Sequence, residues 1–452
     1  MQGDGESPHI AAARAGHNPR WYLAALPANM SAGISAPLVP LLVLLGLGGQ
    51  AQDVALAAMV TSLAGVPACA LWGRLSDATG RRRPYIVLGY VGFGIGMLLL
   101  GLAPNVPAAL VGAAMLGLLG TSSAAAGPAL IMETAEEKEW ARRVAEFSRV
   151  CSSGWLLGLV IGAIWLYFFH DAAGMRALCV VSAVLGAIAG IGAWRWVREA
   201  AAGSRARPSL EALLHLDVLA IEKYRFLPQK LIHFRFWKDE VAALRRSPDR
   251  HPLALLLVAL TLLFTGFVMF YTVLPSYLSI VAGANAAEVF IVYIASTAAS
   301  TLFYPRAGRL VERVGARRAV LMAAAARLPL FLSFPLVLLI AHDLQAVLIF
   351  AALNGLAGVC WTAISVGSTV AVTELAPESK AEAVGAFHAV SGIGAIAGAT
   401  MAVFLVGPMG FEWLIVLSAI LIVAGIAFSM AARAKKSTEA PRASTQTSTT
   451  IP

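Results

Sequence analysis

Two short segments of the chain combine glycines with a carboxylate and several arginines, and the second segment repeats the first. The residues concerned are Gly73, Asp77, Gly80, Arg81 and Arg82 in the first segment and Gly308, Glu312, Gly315 and Arg317 in the second. Glycine permits a tight turn, whereas a carboxylate is stabilised by a helix N-terminus and by guanidinium groups. The pattern predicts charged contacts that form and break, so we interpret both segments as conformational latches.

A second group of candidates carries titratable side chains within or beside apolar sequence. Glu133 and Glu374 lie in similar contexts 241 positions apart, and we predict gating or proton-carrying carboxylates, with ion pairs to nearby basic residues as the alternative. Arg327 lies inside an apolar run, where a charge is costly unless it is paired or reaches water. We expect it to snorkel or to pair locally rather than to contact substrate. His388 is the remaining candidate, because histidine titrates near neutral pH.

No motif in the sequence predicts a metal site, a nucleotide-binding loop or a catalytic centre. His388 and Ser391 form the only nearby base and nucleophile, and no third group supports them. The four cysteines all fall inside apolar runs, where we interpret them as small apolar fillers. We therefore expect no enzyme, no metal and no resident cofactor, while H⁺ or Na⁺ remains open as a coupling ion.

The elements that must position these residues are membrane helices. Hydrophobic residues make up 59% of the chain and charged residues 13%, against about 25% charged in a soluble domain. Stretches long enough to cross a bilayer, about 20 residues each, occur twelve times. They are 21–45, 54–73, 84–103, 108–132, 147–169, 177–197, 253–280, 288–306, 319–340, 346–373, 383–406 and 412–432.

The basic residues mark one side of the predicted membrane. Of the 34 Lys and Arg residues, 32 fall in the termini and in alternate loops. Because Lys and Arg accumulate on the cytoplasmic face, we expect both termini and the central loop in the cytoplasm, with the helices in the plasma membrane. The net charge of +9 is accounted for by this placement, so nucleic acid is not an expected partner.

Repeated glycines extend the duplication beyond the two loops. Gly154 and Gly158 correspond to Gly394 and Gly398, each 240 positions later, and such spacings place small residues on one helix face for close packing. The repeats predict two six-helix halves. The predicted organisation is a cytoplasmic segment 1–20, a first half 21–199, a cytoplasmic linker 200–250, a second half 251–434 and a disordered tail 435–452.

The central linker mixes apolar and basic residues between positions 227 and 246. Such a mixture can form an amphipathic helix on anionic lipid, and a plain tether is the alternative.

The first repeated segment resembles the loop between spans two and three of the major facilitator superfamily (MFS). The pattern of that loop is Gly, any, Leu, any, Asp, any, any, Gly, Arg, Arg or Lys, and it is matched by Gly73, Leu75, Asp77, Gly80, Arg81 and Arg82. The resemblance covers residues 21–434. It implies an all-α membrane protein with twelve transmembrane helices in two pseudo-symmetric halves, with Asp77 near the start of span eleven and Glu312 near the start of span five.

The resemblance also implies secondary active transport by alternating access. Polar and aromatic candidates for a substrate cavity on spans one, seven and ten are Asn29, Tyr271, Tyr277, Asn354 and Trp361. They suggest an apolar chamber, so we predict a drug-exporter-like monomer that exports lipophilic or amphipathic small molecules. Gly158 is followed by Leu159 rather than by the proline common in drug and proton antiporters. The alternatives are a cation-coupled sugar or metabolite symporter, a channel and an intramembrane enzyme.

Overall fold

Long α-helices make up almost all of the described chain. The computed structural model describes residues 19–134, 140–198, 252–375 and 380–431. The helices are α1 Tyr22–Leu41, α2 Ala51–Thr79, α3 Arg83–Leu102, α4 Val106–Thr134, α5 Trp140–Phe168, α6 Ala172–Trp196, α7 Pro252–Ile280, α8 Ala286–Val314, α9 Ala316–Val337, α10 Asp343–Leu375 and α11 Lys380–Ala431. A 3₁₀ turn, Pro19–Trp21, precedes α1, and a π-helical turn, Leu42–Gly46, follows it. These ranges contain no β-strand, and the predicted all-α class is confirmed.

Eleven helices in the described residues are long and apolar enough to cross a membrane. The first ten correspond to the first ten predicted spans, whereas α11 contains both of the last two. Its backbone leaves helical geometry at Gly410, with φ 77° and ψ 175°, a conformation that glycine adopts at little cost. The division into twelve spans and two halves stays a prediction. The predicted linker, the tail and most of the N-terminal segment lie outside the described residues.

The ends of α2 and α8 are built in the same way. At the start of α2, Asp53 accepts a hydrogen bond from the backbone of Gln50 at 2.7 Å, completing a capping box. At the start of α8, the Glu288 side chain accepts a hydrogen bond from the backbone N–H of Asn285 at 2.8 Å. The backbone N–H of Glu288 donates to the side-chain oxygen of Asn285 at 3.0 Å. Both boxes satisfy N–H groups that the helix cannot pair internally. They lie 235 positions apart, as do the glycines that end these helices, Gly80 with φ 61° and Gly315 with φ 88°.

Glycine holds α5 against α1 at backbone contact distance. A Cβ atom added to Gly154 would lie 2.5 Å from the carbonyl oxygen of Leu26, and one added to Gly158 would lie 2.1 Å from that of Met30. No side chain larger than hydrogen fits there without moving a helix.

The same packing recurs between α11 and α7. A Cβ atom at Gly394 would lie 2.9 Å from the carbonyl oxygen of Thr261, and one at Gly398 would lie 2.5 Å from that of Thr265. These glycines follow Gly154 and Gly158 by 240 positions, and the contacted carbonyls follow those of Leu26 and Met30 by 235. The matched contacts support the predicted duplication beyond the loop motif.

Gly158→Ala is expected to destabilise the protein by about 1–3 kcal/mol, the usual cost of overpacking a tight interface. Gly308→Ala is the matched control, because a Cβ atom there would have no neighbour within 4 Å. Thermal unfolding of both variants in detergent measures the difference. Equal melting temperatures would show that α1 and α5 can separate without cost.

Helices α2, α7 and α11 pack together toward one end of the bundle. We call the end that carries Arg81–Arg83 and Arg317–Arg318 the basic end, and the other the far end. Toward the far end, one buried cluster joins α2, α7 and α11; its members are Ala55, Met269, Val273, Ala402, Val406 and Leu414. Near the basic end, a Cβ atom added to Gly308 or Gly385 would meet no atom within 4 Å. Helices α2 and α11 therefore lie in close contact toward the far end, and Gly308 and Gly385 have open space around them.

Candidate functional site

A cavity of about 530 Å³ lies between α1, α2 and α4 on one side and α7 to α10 on the other. Its volume is within the usual range for small-molecule sites, about 300–1,000 Å³. The lining side chains are mostly apolar or aromatic, with a few hydroxyl groups and one charge. They include Ser35, Thr61, Ser62, Leu116, Phe264, Phe267, Tyr271, Thr272, Tyr293, Ser296, Arg327 and Trp361. The phenylalanines and hydroxyl residues gave no signal in the sequence, since such residues occur throughout apolar spans.

A second cavity of about 360 Å³ adjoins the first and shares Ser296 and Trp361 with it. It extends between α5 and α8 to Cys151 and Tyr304, which lie nearer to the basic end in their helices. The two cavities together outline a route from the middle of the bundle toward that end.

Arg327 supplies the charge in the first cavity. The residue is 2% exposed, and its Nη2 atom donates a hydrogen bond to the hydroxyl of Tyr271 at 2.7 Å. The centre of its guanidinium lies between 4.5 and 5.6 Å from four aromatic ring centroids, those of Phe267, Phe331, Tyr271 and Trp361. Aromatic faces attract a cation electrostatically. Of the two alternatives expected for Arg327, these contacts match local pairing rather than snorkelling, because they hold its charge inside the bundle.

A chain of hydrogen bonds fixes the hydroxyl of Tyr271. After accepting from Arg327, this hydroxyl donates to Oδ1 of Asn354 at 3.0 Å. The amide of Asn354 is buried and donates in turn to the carbonyl oxygen of Val292, also at 3.0 Å. Each member of the chain has a defined donor or acceptor role, so α7, α8, α9 and α10 are tied together behind the cavity.

The other predicted cavity residues occupy three kinds of position. Trp361 lines both cavities, and Asn29 lines the second while donating to the carbonyl oxygen of Ala25 at 2.8 Å. Tyr277, contrary to our expectation, lies away from both cavities and donates to the carbonyl oxygen of Phe334 at 3.3 Å. His388 is exposed, rests beside the ring of Phe387, and lines neither cavity.

Tyr271→Phe is expected to lower substrate affinity about threefold to tenfold, because the Tyr271 hydroxyl positions the Arg327 guanidinium in the cavity and a misplaced guanidinium loses part of the roughly 1.5–3 kcal/mol of a hydrogen bond to a charged group. Tyr277→Phe is the matched control, since it removes the same hydroxyl from the same helix outside the cavities. Equilibrium binding to the purified variants measures both effects. Equal losses in the two variants would contradict a role for the cavity.

The first repeated loop forms an ion-pair network around Arg82. Its guanidinium contacts Asp77 at 2.6 Å and Glu133 at 2.6 Å, and it donates to the hydroxyl of Ser76 at 2.8 Å. The Arg82 side chain is 8% exposed, whereas that of Asp77 is 70% exposed. Hydrogen bonding to Glu133 raises the pKa of the Arg82 guanidinium. Asp77 and Glu133 thus share one cation at the basic end.

The proposed latch contacts reach parts of the chain outside the description. Residues 376–379 and the side chains of residues 380–383 are not described, nor are most side chains at the start of α5. The contacts of Asp77 with span eleven and of Glu312 with span five therefore stay predictions.

Glu312 and Glu374 are exposed, and Arg317 donates to the carbonyl oxygen of Ser429. Within the described ranges, no group of three or more His, Cys, Asp or Glu side chains is placed to hold a metal ion.

Comparison with known proteins gives matches at the level of sequence and of fold. A sequence model of the Major Facilitator Superfamily matches residues 21–363 and 291–451. Over 48 residues the chain is 48% identical to the major facilitator superfamily multidrug transporter mfsB of Aspergillus fumigatus. That stretch is 11% of this chain and only 8% of the length of the relative.

Several solved transporters share the fold at low sequence identity. A variant of the nucleoside transporter NupG has a TM-score of 0.69 at 13% identity, covering 91% of this chain and 98% of its own. A POT family transporter in complex with a thioalcohol-conjugated peptide has a TM-score of 0.67 at 14% identity. The match covers 91% of this chain and 96% of that transporter. The third structure is a bacterial homologue of the human lysosomal transporter Spinster in an inward-facing and unoccupied conformation. It has a TM-score of 0.61 at 15% identity, and the match covers 95% of this chain and 98% of that homologue.

Proposed function

The chain belongs to the Major Facilitator Superfamily of membrane transporters, and on this premise we propose that it exports small lipophilic or amphipathic molecules by alternating access. The observation that carries the proposal is the cavity between α1, α2 and α4 and the later helices α7 to α10. A site between two groups of helices is exposed to either side of a membrane when the groups rock against each other.

The buried cluster of α2, α7 and α11 toward the far end and the second cavity, which extends toward the basic end, support one assignment of the conformation. If the basic end faces the cytoplasm, as the distribution of Lys and Arg predicts, the structure is closed outside and accessible from inside. Under this proposal both termini are cytoplasmic, and the plasma membrane is the expected location.

Two observations favour amphipathic solutes as the cargo. The cavity lining is largely apolar and aromatic, which suits solutes that bury hydrophobic area. The relative from Aspergillus fumigatus is named a multidrug transporter, which is consistent with export of such compounds. H⁺ or Na⁺ coupling is part of the proposal to be tested.

Transport by the purified protein in liposomes tests the function. Three aromatic solutes of similar size and different charge serve as probes: 2-naphthoate, 2-naphthamide and 2-naphthylmethylammonium. We expect saturable flux with counterflow for at least one of them, accelerated by an imposed H⁺ or Na⁺ gradient. If the flux of all three probes is no faster than in protein-free liposomes, the proposed cargo is contradicted. Ohmic current would indicate a channel, and formation of a product without movement of the solute would indicate an enzyme.

A further inference from the structure

The guanidinium of Arg327 has donors that no described group of the protein uses. A guanidinium carries five N–H donors and keeps its charge inside proteins. Only Nη2 has a hydrogen-bonded partner, Tyr271, while the buried Nε and Nη1 atoms have none among the described residues. A buried charged donor without an acceptor is unfavourable, so an acceptor from outside the chain would relieve this arrangement.

The surroundings of Arg327 stabilise its charge without neutralising it. No carboxylate in the described ranges forms an ion pair with it, and the four nearby rings offer π faces rather than lone pairs. Arg176 shows the contrasting arrangement. Its Nη1 atom donates to the carbonyl oxygens of Gly101 and Ala103 at 3.1 and 2.7 Å. Arg176 is thus bonded within the protein, whereas Arg327 lines the cavity and its Nε and Nη1 atoms have no acceptor among the described residues.

We propose that Arg327 binds the anionic group of the transported solute, so that the cargo is an amphipathic organic anion. The inference rests on the proposed transport function and names its substrate class. A carboxylate or another oxyanion forms strong charge-assisted hydrogen bonds with a guanidinium. The apolar body of the same solute packs against rings that line the cavity, among them Phe264 and Trp361.

The same geometry disfavours cations as cargo. The described lining contains no acidic side chain, and like charges repel strongly where water is partly excluded. A neutral solute uses the apolar surface but leaves the Arg327 donors without an acceptor. The expected order of affinity is therefore anion first, neutral analogue second and cation last.

Equilibrium binding to the purified full-length protein tests the preference for the anion over its neutral analogue independently of transport. The probes are three acid and amide pairs: 2-naphthoate with 2-naphthamide, indole-3-acetate with its amide, and decanoate with decanamide. For at least one pair we expect the acid to bind tenfold or more tightly than the amide. Arg327→Gln should weaken binding of that acid tenfold or more and change binding of the amide less than twofold, whereas Arg327→Lys should restore part of the preference.

Arg306→Gln is the matched control, because Arg306 is exposed on α8 and lines neither cavity. It should leave the preference for the acid unchanged. If Arg327→Gln does not yield folded protein, as judged by size exclusion and melting, the acid and amide comparison on the unmodified protein decides alone. The proposal is overturned if no acid is preferred to its amide, or if Arg327→Gln keeps the preference. Anion binding without flux in liposomes would overturn transport instead and leave the binding site standing.

Discussion

A disulfide joining the substitutions Val66→Cys and Gly392→Cys is expected to stop transport completely. A Cβ atom built on Gly392 lies 3.6 Å from the Cβ atom of Val66, within the range of about 3.5–4.5 Å that disulfides require. Val66 is in α2 and Gly392 in α11, on opposite sides of the interface that the proposed alternating access must open. A covalent bond there holds the helices in the arrangement seen in the structure. Counterflow measured before oxidation, after oxidation and after reduction should show full, absent and recovered flux.

The test needs a background without competing thiols. The native cysteines are Cys69, Cys151, Cys179 and Cys360, and each is replaced by alanine or serine before the pair is introduced. Each single substitution, treated with the same oxidant, is the matched control and should keep its flux. Undiminished flux from protein that mass spectrometry shows to be fully cross-linked would falsify alternating access at this interface.

Arg82→Gln is expected to impair both stability and transport. It removes the cation shared by Asp77 and Glu133 and takes away the donor bound to Ser76. Arg82 is buried, and its acidic partners are partly in water. We therefore expect the free energy of unfolding to fall by about 2–3 kcal/mol, near the upper range for hydrogen bonds to charged groups. Thermal unfolding in detergent and flux in liposomes measure the two effects.

Arg81→Gln is the control for Arg82→Gln, because Arg81 carries the same charge at the neighbouring position and its side chain is exposed. Its stability should change by no more than about 0.5 kcal/mol, as expected at an exposed site. If both variants lose stability equally, the loop acts through its total charge and the network around Arg82 has no special role.

The helices could be predicted because the bilayer imposes their length and apolar composition. The end of the chain was predicted as two spans, 383–406 and 412–432, and α11 covers both of them as far as Ala431. The structure needs only one residue outside helical geometry, Gly410. A break of one residue leaves the hydropathy profile almost unchanged, so the length of the break could not be predicted from the sequence.

The cavity residues could be predicted only in part, because a span is apolar on both its lipid face and its cavity face. Tyr271 and Tyr277 are six residues apart, about 240° around a helix, so they point to different sides of α7. Hydropathy does not say which side meets the cavity. For Arg327 the sequence left snorkelling open beside local pairing, because its partners, the hydroxyl of Tyr271 and four ring faces, come largely from distant helices.

The isolated charge of Arg327 has an electrical consequence for a carrier. With no carboxylate beside it in the described structure, the empty site is a net cation, whereas a bound monoanion makes it neutral. One elementary charge crossing the full membrane potential corresponds to about 2.3 kcal/mol per 100 mV. If the carrier moves the anion without a coupling ion, return of the empty form is sensitive to voltage and reorientation of the form that carries a monoanion is nearly insensitive. Net flux is then electrogenic, whereas exchange of two anions is electrically silent.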